Sequence, residues 1–169
     1  SMMVFEAVGG WWSGSLALLS DAGHMLTDAA ALLLAVLALW FAARPADLKR
    51  TYGFFRLEVL SALLNGLTLV GIAGFIGFEA WQRLANPQPI KAGVMLVVAV
   101  VGLLVNLAGM ALLSHSKNLN VRAAFLHVLG DALSSVGVIA AAGVTWLTGA
   151  TWLDPVISIA IGLLIAVGA

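Results

Sequence analysis

The chain has 169 residues, 62% of them hydrophobic and 9% charged, and its eight basic and eight acidic side chains cancel to zero formal net charge. Soluble domains carry about 45–50% apolar and about 25% charged residues, so this composition excludes a soluble enzyme, a nucleic-acid binder and a disordered chain and leaves a membrane protein. The lack of cysteine also removes disulfides and thiolate metal sites.

Charges and turn residues cut the chain into six apolar stretches, predicted as helices at about 1–12, 15–43, 57–84, 90–115, 121–147 and 154–169. The expected fold is an all-α membrane protein, a six-transmembrane-helix bundle, with its first and last helices short. A span needs about 20 mostly apolar residues to cross about 30 Å of hydrocarbon. Ser13-Gly14 separates the first two helices. The second reaches spanning length only with Asp21, His24 and Asp28 inside the bilayer. Arg44-Pro45 then stops it and opens a basic connection. Asn86-Pro87-Gln88-Pro89 is a turn between the third and fourth helices. The fifth helix takes His127 and Asp131 into the bilayer, and Pro155 suits the first turn of the sixth.

Basic residues set the expected orientation. Arg44, Lys49, Arg50, Arg56, Lys117 and Arg122 fall at one side, and Arg83 and Lys91 at the other. Both termini are therefore expected in the cytoplasm. Trp11, Trp12, Trp81, Trp146 and Trp152 cluster at the outer ends, as an interfacial belt does.

The chemistry lies in two matched pairs. His24-Met-Leu-Thr-Asp28 and His127-Val-Leu-Gly-Asp131 each place an imidazole and a carboxylate at i and i+4, on one helix face and about 6 Å apart along the axis. His24 is about 14 Å into its span. A charge at mid-bilayer costs at least about 2.5–3.5 kcal/mol, so such residues are functional by default. A single pair could be a hydrogen bond within the bundle; two identical pairs on different helices favour a metal. Facing each other, they offer two nitrogens and two oxygens, a tetrahedral set suited to Zn2+, whose charge two aspartates neutralise. Such a set does not suit copper(I), magnesium or calcium.

Other polar residues carry weaker readings. Asp21, Asn106, Ser135 and Asp154 are candidates for supporting the ligands or gating the path. Asp21 reads equally as a capping or water-bound group, Asn106 as an interhelical hydrogen-bond donor, and Ser134 and Ser135 as partners of Asp131. Asp154 reads as the N-cap of the sixth helix. Glu79 and Arg83 form an i,i+4 surface pair, His115 reads as a solvated loop residue, and Glu6 has no evident partner. A bis-histidine haem protein using His24 and His127, a metal sensor and a proton channel are the competing readings of the same residues.

The motifs resemble those of the cation diffusion facilitators. Residues 13–28 (SGSLALLSDAGHMLTD) are similar to the first family signature. Tyr52, Gly53, Arg56 and Glu58 match its loop signature, residues 118–131 (NLNVRAAFLHVLGD) the signature entering helix five, and Asp154-Pro155 the start of helix six. The likeness is greatest to its bacterial zinc exporters. It implies a secondary transporter in the bacterial inner membrane, usually a homodimer, that exports Zn2+, and other divalent cations such as Cd2+, in exchange for protons. His24, Asp28, His127 and Asp131 match the transport-site positions, with helices 1, 2, 4 and 5 moving against a 3/6 pair. It also implies a cytoplasmic metal-binding domain after helix six, which these residues do not include.

Overall fold

A computed structural model describes residues 2–42, 55–114 and 119–168. They form six helices and, among the described residues, no strand: α1 Met2–Ser13, α2 Leu16–Ala42, α3 Phe55–Ala85, α4 Ala92–Leu113, α5 Leu119–Thr148 and α6 Leu153–Gly168. The six-helix bundle expected from the sequence is the fold. The basic connection holding Arg44, Lys49 and Arg50, and also His115 and Lys117, lie outside the described residues.

The three short connections share one end of the bundle, the turn end. Gly14 joins α1 to α2 with φ +75° and Gly149 follows α5 with φ +71°, a backbone region that glycine enters without penalty. The link from α3 to α4 is tied to the first turn where the Lys91 amide donates to the Ser13 carbonyl at 2.8 Å. All five tryptophans of the expected belt lie at this end and are exposed. Lys91 places its ammonium 5.9 Å from the Trp12 ring centroid.

Packing follows residue size. The core holds Leu18, Met95, Val138, Ile161 and Ile165, with alanines 17, 99, 141 and 142 filling the gaps between helices. Lipid tails are as apolar as leucine, so close backbone approach and dispersion, not water exclusion, hold such a bundle together. At Gly10 a Cβ would lie 3.0 Å from the Leu19 amide nitrogen, which sets how tightly α1 leans on α2. α4 lies along α5 and α3 along α6; α1 rests on α2 and α4, while α2 also meets α3 and α6. α2 and α5 touch only over a short stretch.

The perimeter is apolar: Leu32, Leu33, Val36, Val59, Leu63, Leu67, Phe75, Phe78 and Leu112 are all exposed. A patch of that extent would drive association in water and is solvated by acyl chains instead. By length and composition, residues 16–34, 59–85, 92–113 and 121–148 can each cross a bilayer. α6 is shorter but equally apolar.

Candidate metal centre

The site lies where α2 and α5 meet. The i,i+4 spacing puts His24 over Asp28 and His127 over Asp131, and the short α2–α5 contact turns the two faces toward each other. Asp28 Oδ2 is the meeting point, 3.6 Å from His24 Nε2 and 3.3 Å from His127 Nε2. The Asp131 Oδ2 atom is 3.8 Å from His127 Nε2. The two imidazoles cross edge to face with centroids 5.9 Å apart. Ligand atoms of His24, Asp28 and His127 all fall within 4.8 Å of one another, and Asp131 is not part of that trio.

These distances can be set against a metal's requirement. A tetrahedron with bonds of about 2.0–2.2 Å has edges of about 3.3–3.6 Å. The Asp28–His24 and Asp28–His127 separations fall in that range. The polar atoms are also left open: His24 Nδ1 and Asp28 Oδ2 are buried without a hydrogen-bond partner. Orphaned buried groups of this kind are expensive and call for an occupant or a role.

The site borders a cavity. A cavity of about 530 Å³ is lined by Asp28, Ala31, Leu32, Ala123, Ala124 and His127. Ala31 and Leu32 follow Asp28 along α2, and Ala123 and Ala124 precede His127 along α5, so the cavity runs away from the turn end. Half of the His127 side-chain surface is accessible. Toward the turn end, polar bonds link the helices. The Ser134 hydroxyl donates to Asp21 Oδ1 at 2.7 Å, joining α5 to α2. The Asn106 amide lies 3.5 Å from Ser135 Oγ, joining α4 to α5.

Several sequence expectations change in detail. Ser134 serves Asp21, and Ser135 donates to the backbone carbonyl of Asp131 at 3.0 Å, so the structure gives neither a hydrogen bond to the Asp131 carboxylate. Asp154 lies one residue into α6, so it does not stand at that helix's N-cap. Its carboxylate caps α2 instead, accepting from the Ser15 hydroxyl at 2.5 Å, the Leu16 amide at 2.8 Å and the Ala17 amide at 3.3 Å. The N-cap rule is obeyed, but in trans, since a helix start buried within the bundle has no water to turn to. Arg83 pairs with Glu79 at 3.0 Å and also donates to the Gly14 carbonyl, fastening α3 to the same turn. Glu6 is buried between α1 and α4, a placement no sequence spacing announces.

A membrane bundle with paired imidazole and carboxylate groups facing across two helices defines a cation-handling membrane domain. All of residues 1–169 match the family model described as the cation efflux transmembrane domain, and the chain belongs to that family. It is 52% identical over 168 residues to the zinc transporter ZitB of Pectobacterium atrosepticum, covering 98% of this chain and 52% of that protein. It is 48% identical over 165 residues to the metal cation efflux system protein CzcD of Cupriavidus metallidurans, covering 96% and 52%. It is 41% identical over 167 residues to the cadmium, cobalt and zinc/H(+)-K(+) antiporter of Bacillus subtilis, covering 96% and 54%. The chain spans about half the length of the curated relatives it matches.

Proposed function

We propose that this domain carries Zn2+ out of the cytoplasm in exchange for protons, binding it between His24, Asp28, His127 and Asp131. One observation carries the reading: imidazole nitrogens from two helices sit 3.3 and 3.6 Å from a single buried carboxylate oxygen that accepts no hydrogen bond. Asp131, with its Oδ2 atom 3.8 Å from His127 Nε2, is the fourth ligand of this reading. Two carboxylates cancel the ion's charge, so the loaded site has little left to desolvate. The names of the relatives fit this substrate class, and Cd2+ has the same ligand preference for imidazole and carboxylate.

The exchange follows from competition. Zinc needs neutral imidazoles and ionised carboxylates, so protons and metal exclude one another. With the positive connections in the cytoplasm, the cavity beyond Asp28 and His127 faces inward in this conformation. There the site loses protons and takes up the ion; after the bundle rocks, a more acidic outside returns protons and displaces it. The moving unit is α1, α2, α4 and α5 against α3 and α6, in a homodimer of the bacterial inner membrane with both termini cytoplasmic. A haem between His24 and His127 is disfavoured, because Asp28 Oδ2 occupies the gap its ring would need.

The test is zinc-for-proton exchange by the full chain in proteoliposomes with a zinc-sensitive dye inside. Parent vesicles are expected to accumulate zinc when given a pH gradient, and His24→Ala and Asp131→Ala vesicles are not. Accumulation by either variant at the parent rate would overturn the ligand assignment.

A further inference from the structure

Glu6 is the sole titratable side chain of α1, and 2% of its surface is accessible. Its Oε2 atom is buried with no hydrogen-bond partner. Among the described residues no lysine, arginine or histidine forms an ion pair with it. The groups around it come from every neighbouring element. α2 contributes Asp21, which lies seven residues past the Gly14 turn while Glu6 lies eight before it, at the same depth. α5 contributes Ser135 and, one turn before it, Asp131, while α4 contributes no charge but a gap. A Cβ at Gly102 would fall 2.8 Å from Glu6 Oε1 and 3.6 Å from Ser135 Oγ, so α4 is cut away where the carboxyl needs room.

Three acids therefore share one poorly solvated region, and only Asp131 among them has an imidazole beside it. Like charges so placed cannot all ionise at once, and the group with neither a cation nor a hydrogen-bond donor on a buried oxygen is the one that stays neutral. Asp21 has Ser134 and Asp131 has His127. Glu6 has neither.

We propose that Glu6 is a second proton-binding site of the exchange, separate from the imidazole–carboxylate site, and that it is coupled to that site through the charge of Asp131. Building on the transport reading above, the proton sits on Glu6 Oε2 while no divalent cation is bound. An ion held by Asp28, Asp131 and the two histidines cancels the negative charge of Asp131 that Glu6 otherwise faces. The O–H bond of the Glu6 carboxyl then breaks, its electron pair stays on the carboxylate, and H+ leaves to water. Release of the ion restores the proton. Exclusion of proton and metal then acts across the α1–α2–α5 junction as well as at the ligands themselves.

The experiment compares parent and Glu6→Gln full-length protein by isothermal titration with Zn2+ in buffers of different ionisation enthalpy, together with infrared difference spectra with and without zinc. Glu6→Gln mimics the protonated acid. The expected result is that protons released per zinc fall by about one while zinc affinity at alkaline pH stays within about twofold. The carboxylic C=O band of the zinc-free parent is expected to vanish on zinc addition and to be missing in Glu6→Gln. An unchanged proton count, or a carboxylic band that persists in Glu6→Gln, would overturn the proposal while leaving the zinc site standing. Loss of zinc affinity in Glu6→Gln with rescue by Glu6→Asp would make Glu6 a metal ligand and also overturn it. If Glu6→Gln does not fold, Glu6→Asp decides: a shifted carboxylic band that zinc abolishes supports the proposal, and an unshifted one refutes it. Should the parent bind zinc but fail to transport it, the transport reading fails, and the proton count still judges Glu6.

Discussion

The two ends of the α2 segment between Ser15 and Asp28 are built on opposite principles. At the start, Asp154 meets the Ser15 hydroxyl and two backbone amides, and Arg83 meets the Gly14 carbonyl. Three turns further on, His24 Nδ1 and Asp28 Oδ2 are buried and unsatisfied, beside a half-accessible His127. Polar groups in a bilayer must be paired or must do chemistry. The first region is paired and serves as structure; the second is left unpaired.

That contrast can be broken by exchanging the effects of mutation between the regions. Asp28→Ala removes the atom shared by both histidines and is expected to weaken zinc binding at least about 100-fold, since even supporting residues around a metal cost about 10–100-fold. Calorimetric titration measures it, and the melting temperature should hold or rise because a costly buried charge is gone. Asp154→Ala should do the reverse. It leaves two amides and a hydroxyl unpaired, a loss of about 1.5–3 kcal/mol of stability for hydrogen bonds to a charged group. Thermal unfolding in detergent reads that loss, and zinc affinity should move less than about twofold. If Asp154→Ala instead abolished zinc binding in a folded protein, the division between structural and chemical regions would be wrong.

Two smaller effects sharpen the same comparison. Gly10→Ala puts a methyl 3.0 Å from the Leu19 amide nitrogen, and overpacking of this kind costs about 1–3 kcal/mol. Helicity should survive while the melting temperature falls. Arg83→Ala loses a partly exposed pair with Glu79 and the hold on Gly14. The pair contributes about 0.2–1 kcal/mol, so a small shift that shrinks in high salt is expected.

Much of this was legible in the sequence, for identifiable reasons. Charges are so sparse that they punctuate the spans, and the matched His–x3–Asp spacing survives folding because helix geometry fixes it. The facing of α2 and α5 was readable only as a consequence of finding that spacing twice. Partnerships between distant residues were not readable. Asp154 next to Pro155 suggests a local cap, but its partners begin 139 residues away at Ser15. Ser134 and Ser135 are adjacent in sequence, yet a helix points neighbours about 100° apart, so one reaches Asp21 and the other its own backbone. Glu6 sits in an apolar run whose neighbours come from three other helices, and no local pattern encodes them.

The cap that Asp154 places on α2 also sets a mechanical ratio. α2 has 27 residues, and at about 1.5 Å per residue its far tip is about 39 Å from the capped start, with Asp28 about 18 Å along. If that fastening acts as a fulcrum, any tilt of the helix swings the tip about twice as far as it shifts Asp28. A lever anchored this way opens a wide mouth at the far end while disturbing the ligand geometry by half as much.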